Sequence, residues 1–495
     1  MLDVADYETR DAMALAELVT SGEVTPKELL EVAISLIEER NPALNAVVNT
    51  LFDRAAAKVE ALPQDGPLRG VPFLLKDLKL QLEGTITTDS TRLYRDRVAT
   101  RSSVLAERYE AAGLQILGKT NTPEMGIMGT TESALRGPAR NPWALDRTPG
   151  GSSGGSSAAV AARMVPVAHG GDGGGSIRIP ASCCGLFGIK PTRGRVSMAP
   201  FYGEGWCGFV QENVMSRSVR DSALLLDIAC ETTLGEPYAA PYQPRSFLEE
   251  LDEPQRPLRI AFTEDTLFAG ETHPDCQAAV RDAVTLLEEL GHEVVEAKPE
   301  FSREELVRAY FLVVGAGTSR FVETAAAYAG GKPRAADFEA ATWILAQIGW
   351  ANSASELMWA RDVMQRAGRD VAGFFEGYDA FLTSTMARPP AHIGELLPTA
   401  GERFQLSLVR HLGTKRVLNK VLDELGAGKL AYTPNTQLFN QTGQPAMSVP
   451  LYWNDDGLPI GVQFAGRFGD EATLFRLAKQ LEGARPWSDR RPPVR

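Results

Sequence analysis

Residues 147–177, RTPGGSSGGSSAAVAARMVPVAHGGDGGGSI, hold nine glycines and five serines in mid-chain. Such composition alone reads as a flexible linker. The two Gly/Ser clusters, however, bracket AAVAARMVPVA, an apolar stretch that a linker would not contain. The alternative is a pair of tight backbone turns that bring serine hydroxyls and amide N–H groups toward one point.

The rest of the chain supports the second reading. Its 495 residues are 44% hydrophobic and 23% charged, ordinary for a soluble globular protein. The formal net charge of −12 provides no basic field for nucleic acid or an anionic membrane. The opening MLDVADYETRDAMALAEL lacks the basic and apolar regions of a signal peptide. No apolar run approaches the ~20 residues of a membrane span. The expectation is a cytoplasmic protein without nucleic-acid or membrane partners. Five cysteines (Cys183, Cys184, Cys207, Cys230, Cys276) and five histidines (His169, His273, His292, His392, His411) match no zinc template, so no metal and no cofactor are expected.

TPKE (25–28) places Thr, Pro and Glu at the N-cap, N1 and N3 of a helix. VPFLLKDLKL (71–80) reads as a strand carrying one buried lysine, and AERYEAAGLQILGKTN as helix, turn, strand. LRIAFTED (258–265), an amphipathic helix and HEVVEA repeat that β-α-β rhythm. YDAFLTSTM (378–386) is a further strand; the close reads strand, strand, helix. Residues from about 300 to 425 are helix-rich. No linker divides the chain, so the expectation is one large α/β domain spanning residues 1–495, with 300–425 lining the substrate pocket.

Three motif matches stand or fall on context. GLQILGKT (113–120) fits the P-loop expression, but its interior is strand-like and Pro123 follows at once, so it is rejected. GSSGG (151–155) fits GxSxG and nominates Ser153, yet no strand leads into it. Ser152 and Ser153 then read as a helix cap, with one free to face a cavity. VPVAHGGDGGGSIRIPA (165–181) has the better context. A short strand runs into glycines whose N–H groups can curl into an anion-binding nest, and Ser176 closes it. A solvated turn serine is the bland alternative. A nucleophilic serine needs a base. His169 is near but has no evident residue to orient it. Lys76, in apolar FLLKDL, would lose its proton more readily if desolvated.

GVPFLLKD, GKTNTPEMG, RNPWALDRTPGGSSGGSSAAVAA, DGGGSIRIPASCCGLFGIKPTRGRV and GQPAMSVPL…DGLPIGVQFAGR together resemble the amidase signature family, in that family's order. The resemblance implies a large mixed, mainly parallel sheet flanked by helices on both faces. It implies a serine amidohydrolase acting through an acyl-enzyme, with Ser176 as nucleophile, Ser152 after a cis peptide as bridging serine, and Lys76 as base. The interval of 24 residues between the two serines agrees with the family. Gly173, Gly174 and Gly175 would hold the oxyanion, while Ser153, Asp172 and Arg178 would support the loop. Where the family commonly has Thr or a similar residue before GGS, this chain has Gly173. The DGGGSIRIPASCCGLFG version is similar to the branch of nylon-oligomer hydrolases and urethane-cleaving amidases. It implies a small, fairly apolar amide or carbamate as partner, and a homodimer is compatible with it. Two rivals on the same fold are an amidotransferase A-type subunit and a non-catalytic binding protein.

Overall fold

The computed structural model describes residues 2–231, 233–397, 414–418, 420, 422 and 430–494. Its thirteen described strands are β1 (Val47–Thr50), β2 (Pro72–Lys76), β3 (Gln115–Thr120), β4 (Glu132–Ser133), β5 (Gly137–Pro138), β6 (Val167–Asp172) and β7 (Phe187–Lys190). There follow β8 (Gln211–Ser216), β9 (Arg259–Phe262), β10 (Glu293–Glu296), β11 (Ala380–Ser384), β12 (Ala446–Trp453) and β13 (Pro459–Gly466). Strands β4 and β5 form a small hairpin; the others make one eleven-stranded mixed sheet, ordered β1-β3-β2-β6-β8-β7-β12-β13-β11-β9-β10.

Parallel pairing falls in two blocks, β3-β2-β6 and β11-β9-β10. These hold the βα stretches that the sequence announces, since a parallel neighbour requires a crossover. The pairings between and beyond the blocks are antiparallel.

Side-chain alternation along the strands divides the core in two. Ile260, Ala380, Leu382, Met447 and Phe464 enter one apolar cluster, with the helices Ala12–Thr20, Pro26–Leu44 and Glu471–Ala484. Their strand neighbours Ala261, Phe381, Ala446 and Ala465 enter another, under the helices Arg303–Tyr328, Ala340–Ala351 and Ala354–Phe374. The sheet is therefore flanked by helices. Burial on both faces is why β11 and β13 read as near-continuous apolar runs.

Local signals hold where they are strongest. Pro26–Leu44 starts with the reciprocal Thr25–Glu28 capping box. All but the first two residues of the P-loop match form β3, with Lys119 buried and donating to the Leu80 carbonyl at 2.8 Å. The strand expected over 71–80 ends at Lys76. The strand expected at VPVA instead runs from Val167 through Gly170 and Gly171 to Asp172. Those two glycines are ladder residues, and the nest begins only after Asp172. At Gly171 a Cβ would collide with the Glu212 carboxylate. In the expected helix-rich stretch, residues 398–413 and 423–429, with His411, lie outside the described residues.

Candidate active site

Strands β2 and β6 are parallel neighbours, with Phe73 opposite Val167 and Leu74 opposite Ala168. Their C-terminal ends therefore emerge together, the usual place for a site in an open α/β sheet. Lys76 is the last residue of β2 and is buried. Its Nζ donates to Ser152 Oγ at 2.8 Å and to the Gly171 carbonyl at 3.2 Å. Desolvation lowers the ammonium pKa to about 8, partly opposed by the carboxylates of Glu212 and Asp172. Both effects follow from simple electrostatics: burial disfavours the cation, and nearby anions favour it.

The Gly151–Ser152 peptide is cis. Ser153 stands at the N-cap of the helix Gly154–Ala161, but no side-chain cap bond forms. Its hydroxyl instead donates to the Gly171 carbonyl at 3.4 Å. The expected capping by a serine hydroxyl is thus replaced by a tie to β6.

Past Asp172 the backbone turns through Gly173, Gly174 and Gly175, the last with φ of 124°. The N–H of Gly175 donates to Asp172 Oδ1 at 2.6 Å, and that of Ile177 to Oδ2 at 3.2 Å. Gly175, expected among the oxyanion donors, therefore has its N–H engaged inside the loop. Among the described residues, the N–H groups of Gly173, Gly174 and Ser176 have no protein acceptor. Ser176 Oγ likewise makes no hydrogen bond, to Ser152 or to any other described group.

The loop is clasped from behind. Arg178 grips Asp172 through Nε and Nη2, both at 2.9 Å. The same guanidinium donates to Thr436 O, Gln463 Oε1 and Asn440 Oδ1 at 2.9, 2.7 and 2.6 Å. Asn440 Nδ2 returns a bond to Asp172 Oδ1 at 2.9 Å, and Thr436 Oγ1 donates to the Gly174 carbonyl at 2.7 Å. Although burial alone would raise it, the Asp172 carboxyl is held far below the usual range by this guanidinium and the Asn440 amide.

His169 is fully buried on β6. Its Nδ1 accepts the Lys76 backbone N–H at 3.4 Å, and Nε2 lies 3.0 Å from Glu212 Oε2, close but out of line for a hydrogen bond. Burial keeps its pKa down against the pull of Glu212. The sequence offers no residue to orient this ring. The fold supplies Glu212 from β8, and both ring nitrogens face structural neighbours. Glu212, Thr436 and Asn440 give no signal in sequence, because only the fold brings them to the loop; Gln463 lies in the DGLPIGVQFAGR stretch, but nothing in that stretch points to its contact with Arg178.

Lys76, Ser152, Gly171, Gly173, Ser176 and Glu212 share the wall of one cleft of about 470 Å³. The lining also includes Phe321 and Arg320 from the helix Arg303–Tyr328, and Trp206. Trp206 explains the glycine at 173: a Cβ there would meet the indole ring at 2.9 Å, and one at Gly317 would strike its other edge. The ring is wedged between the nest and the helix. The five cysteines are free; three are buried and two half-buried. Among the described residues no His, Cys, Asp and Glu group could hold a metal ion, and no helix is long and apolar enough to cross a membrane.

Comparison with known proteins agrees with this architecture. The Amidase family profile matches residues 28–475. The 6-aminohexanoate-cyclic-dimer hydrolase of a Pseudomonas species (strain NK87) is 38% identical over 492 residues, covering 98% of this chain and 97% of that protein. An acylamidase of Rhodococcus erythropolis is 32% identical over 497 residues, covering 97% and 96%. The solved 6-aminohexanoate cyclic dimer hydrolase complexed with substrate superposes with a TM-score of 0.90 at 37% identity, covering 98% of this chain and 99% of that one. The chain belongs to the amidase signature family and is an enzyme that hydrolyses amide bonds.

Proposed function

We propose that this enzyme cleaves a small, fairly apolar amide or carbamate through an acyl-enzyme, using Ser176, Ser152 and Lys76. The carrying observation is the buried Lys76 amine donating to Ser152 at 2.8 Å in the cleft that Ser176 lines. Near pH 8 a large fraction of Lys76 is neutral, and a neutral amine can accept a proton. Ser176 Oγ attacks the carbonyl carbon; its proton passes to Ser152 as the Ser152 proton passes to Lys76. Negative charge develops on the substrate oxygen against the free N–H groups of Gly173, Gly174 and Ser176. Lys76 and Ser152 then return the proton to the departing nitrogen, the C–N bond breaks, and an ester to Ser176 remains. Water, activated along the same relay, hydrolyses that ester. The relay tightens only with substrate in place, which fits an unengaged Ser176 hydroxyl. Ser153, Asp172 and Arg178 shape the loop without touching the reacting atoms. Similarity to a cyclic-dimer hydrolase and an acylamidase supports cyclic amides and acyl amides as the first substrates to try, with aryl carbamates beside them.

The test is covalent labelling with a fluorophosphonate, followed by peptide mapping. Label is expected on Ser176 and absent in Ser176→Ala, which should also lose turnover of every amide in the panel. Label on Ser153 would overturn the assignment.

A further inference from the structure

Lys79 stands in the turn after β2, three residues beyond Lys76, with φ of 59°. A left-handed backbone is strained for a long side chain, and such outliers point to function when the surroundings impose them. Here Asp89 Oδ1 imposes it by accepting the Lys79 N–H at 2.8 Å. The outcome is a side chain on the wall of the cleft that holds Ser176. Its ammonium lies 5.1 Å from the ring centroid of Tyr202 and 4.7 Å from that of Phe321. The rings support the cation but do not neutralise it.

Arg320, beside Phe321 on the same helix, lines the cleft as well. Among the described residues neither Lys79 nor Arg320 has a carboxylate partner. None of the acids lining the cleft pairs with either cation. Asp89 pairs with Arg97 at 3.6 Å, Glu204 accepts from the Tyr238 hydroxyl, and Glu212 faces His169. A Met at 79 would cover the two rings equally well; what lysine adds is charge.

We propose that Lys79 and Arg320 form an anion subsite, and that the preferred substrates are amides bearing a carboxylate joined to the scissile bond by an apolar spacer. Leu78, Met125 and Phe321 supply the apolar wall for that spacer. The inference rests on the hydrolase reading above and goes beyond it, since a neutral amide needs no cation here.

The test compares kcat/KM within two matched pairs. Adipoyl p-nitroanilide is set against hexanoyl p-nitroanilide, with the charge on the acyl side. N-butanoyl 6-aminohexanoate is set against N-butanoyl hexylamine, with the charge on the amine side. In at least one pair the carboxylate should be favoured about tenfold, the size of one charge-assisted contact. Lys79→Gln should bring that ratio close to one, Lys79→Arg should keep it, and Arg320→Gln should reduce it. About 1 M salt, where the Debye length is about 3 Å, should compress it in the unmodified enzyme. Turnover of the neutral members with a ratio at or below one in both pairs overturns the subsite alone, as does an unchanged ratio in Lys79→Gln. Failure to cleave any of the four overturns the hydrolase reading for this substrate class, and the subsite with it.

Discussion

Lys76 is the proposed base, and its burial also costs stability. Burial lowers its pKa to about 8, so the folded chain binds fewer protons than the unfolded one between about pH 8 and the ordinary lysine value of about 10.4. Stability contributed at this position therefore rises with pH across that window and is lowest below it. Activity should rise along a limb centred near pH 8. Lys76→Ala should lower kcat/KM by about a thousandfold or more. Lys76→Arg should be equally inactive, because guanidinium does not deprotonate. Lys76→Met should match or exceed the parent in thermal midpoint at pH 7, with the advantage shrinking toward pH 10. His169→Gln should keep the rising limb; if it erases the limb, a serine–histidine mechanism replaces this one. The lysine was legible in sequence because an ammonium set among the apolar residues of a strand is costly unless it is used or paired. Glu212 was not, since a glutamate in GFVQENVM becomes buried only when β8 pairs with β6.

At the scale of elements, glycines set how closely the pieces approach. The helix Gly154–Ala161 lies against β1 and β3 with no room for a side chain at Gly155. A Cβ there would meet the Ala46 carbonyl oxygen at 2.5 Å and the Asn121 backbone closer still. Backbone cannot yield as a flexible side chain does, so Gly155→Ala should destabilise the enzyme by roughly 1–3 kcal/mol. Urea titration followed by circular dichroism reads this directly; an unchanged midpoint would show that the helix can shift. Elements with strong periodicity, caps or turn residues were legible from sequence: the helix at Pro26, the β-α-β unit around Pro274–Glu289, and the two closing strands. Ends were less so. The apolar run after Lys76 continues through Leu78 and Leu80, yet β2 stops at Lys76, because those leucines are apolar in loop packing and cleft wall rather than in a ladder. The strand through His169 begins and ends later than its sequence suggests, because Gly170 and Gly171 resemble turn residues until the crowding that requires them is seen.

At the scale of the whole molecule, the eleven-stranded sheet interleaves distant parts of the chain. Strands β12 and β13 lie between β7 and β11, so residues 446–466 join the first half of the sheet to the block β11-β9-β10, drawn from residues 259–296 and 380–384. A sheet built this way should unfold as one body. Calorimetry is expected to give a single transition at the temperature where activity is lost, whereas two resolved transitions would divide the proposed single domain. The clasp on the nest crosses the same distance. Arg178 and Asp172 meet Thr436, Asn440 and Gln463, more than 250 residues further along the chain. During synthesis, then, the serine and the lysine leave the ribosome long before the groups that hold the nest in shape. A nascent or prematurely terminated chain carries Ser176 and Lys76 without an organised site, and on the proposed reading hydrolytic power arrives only once residues 436–463 have emerged.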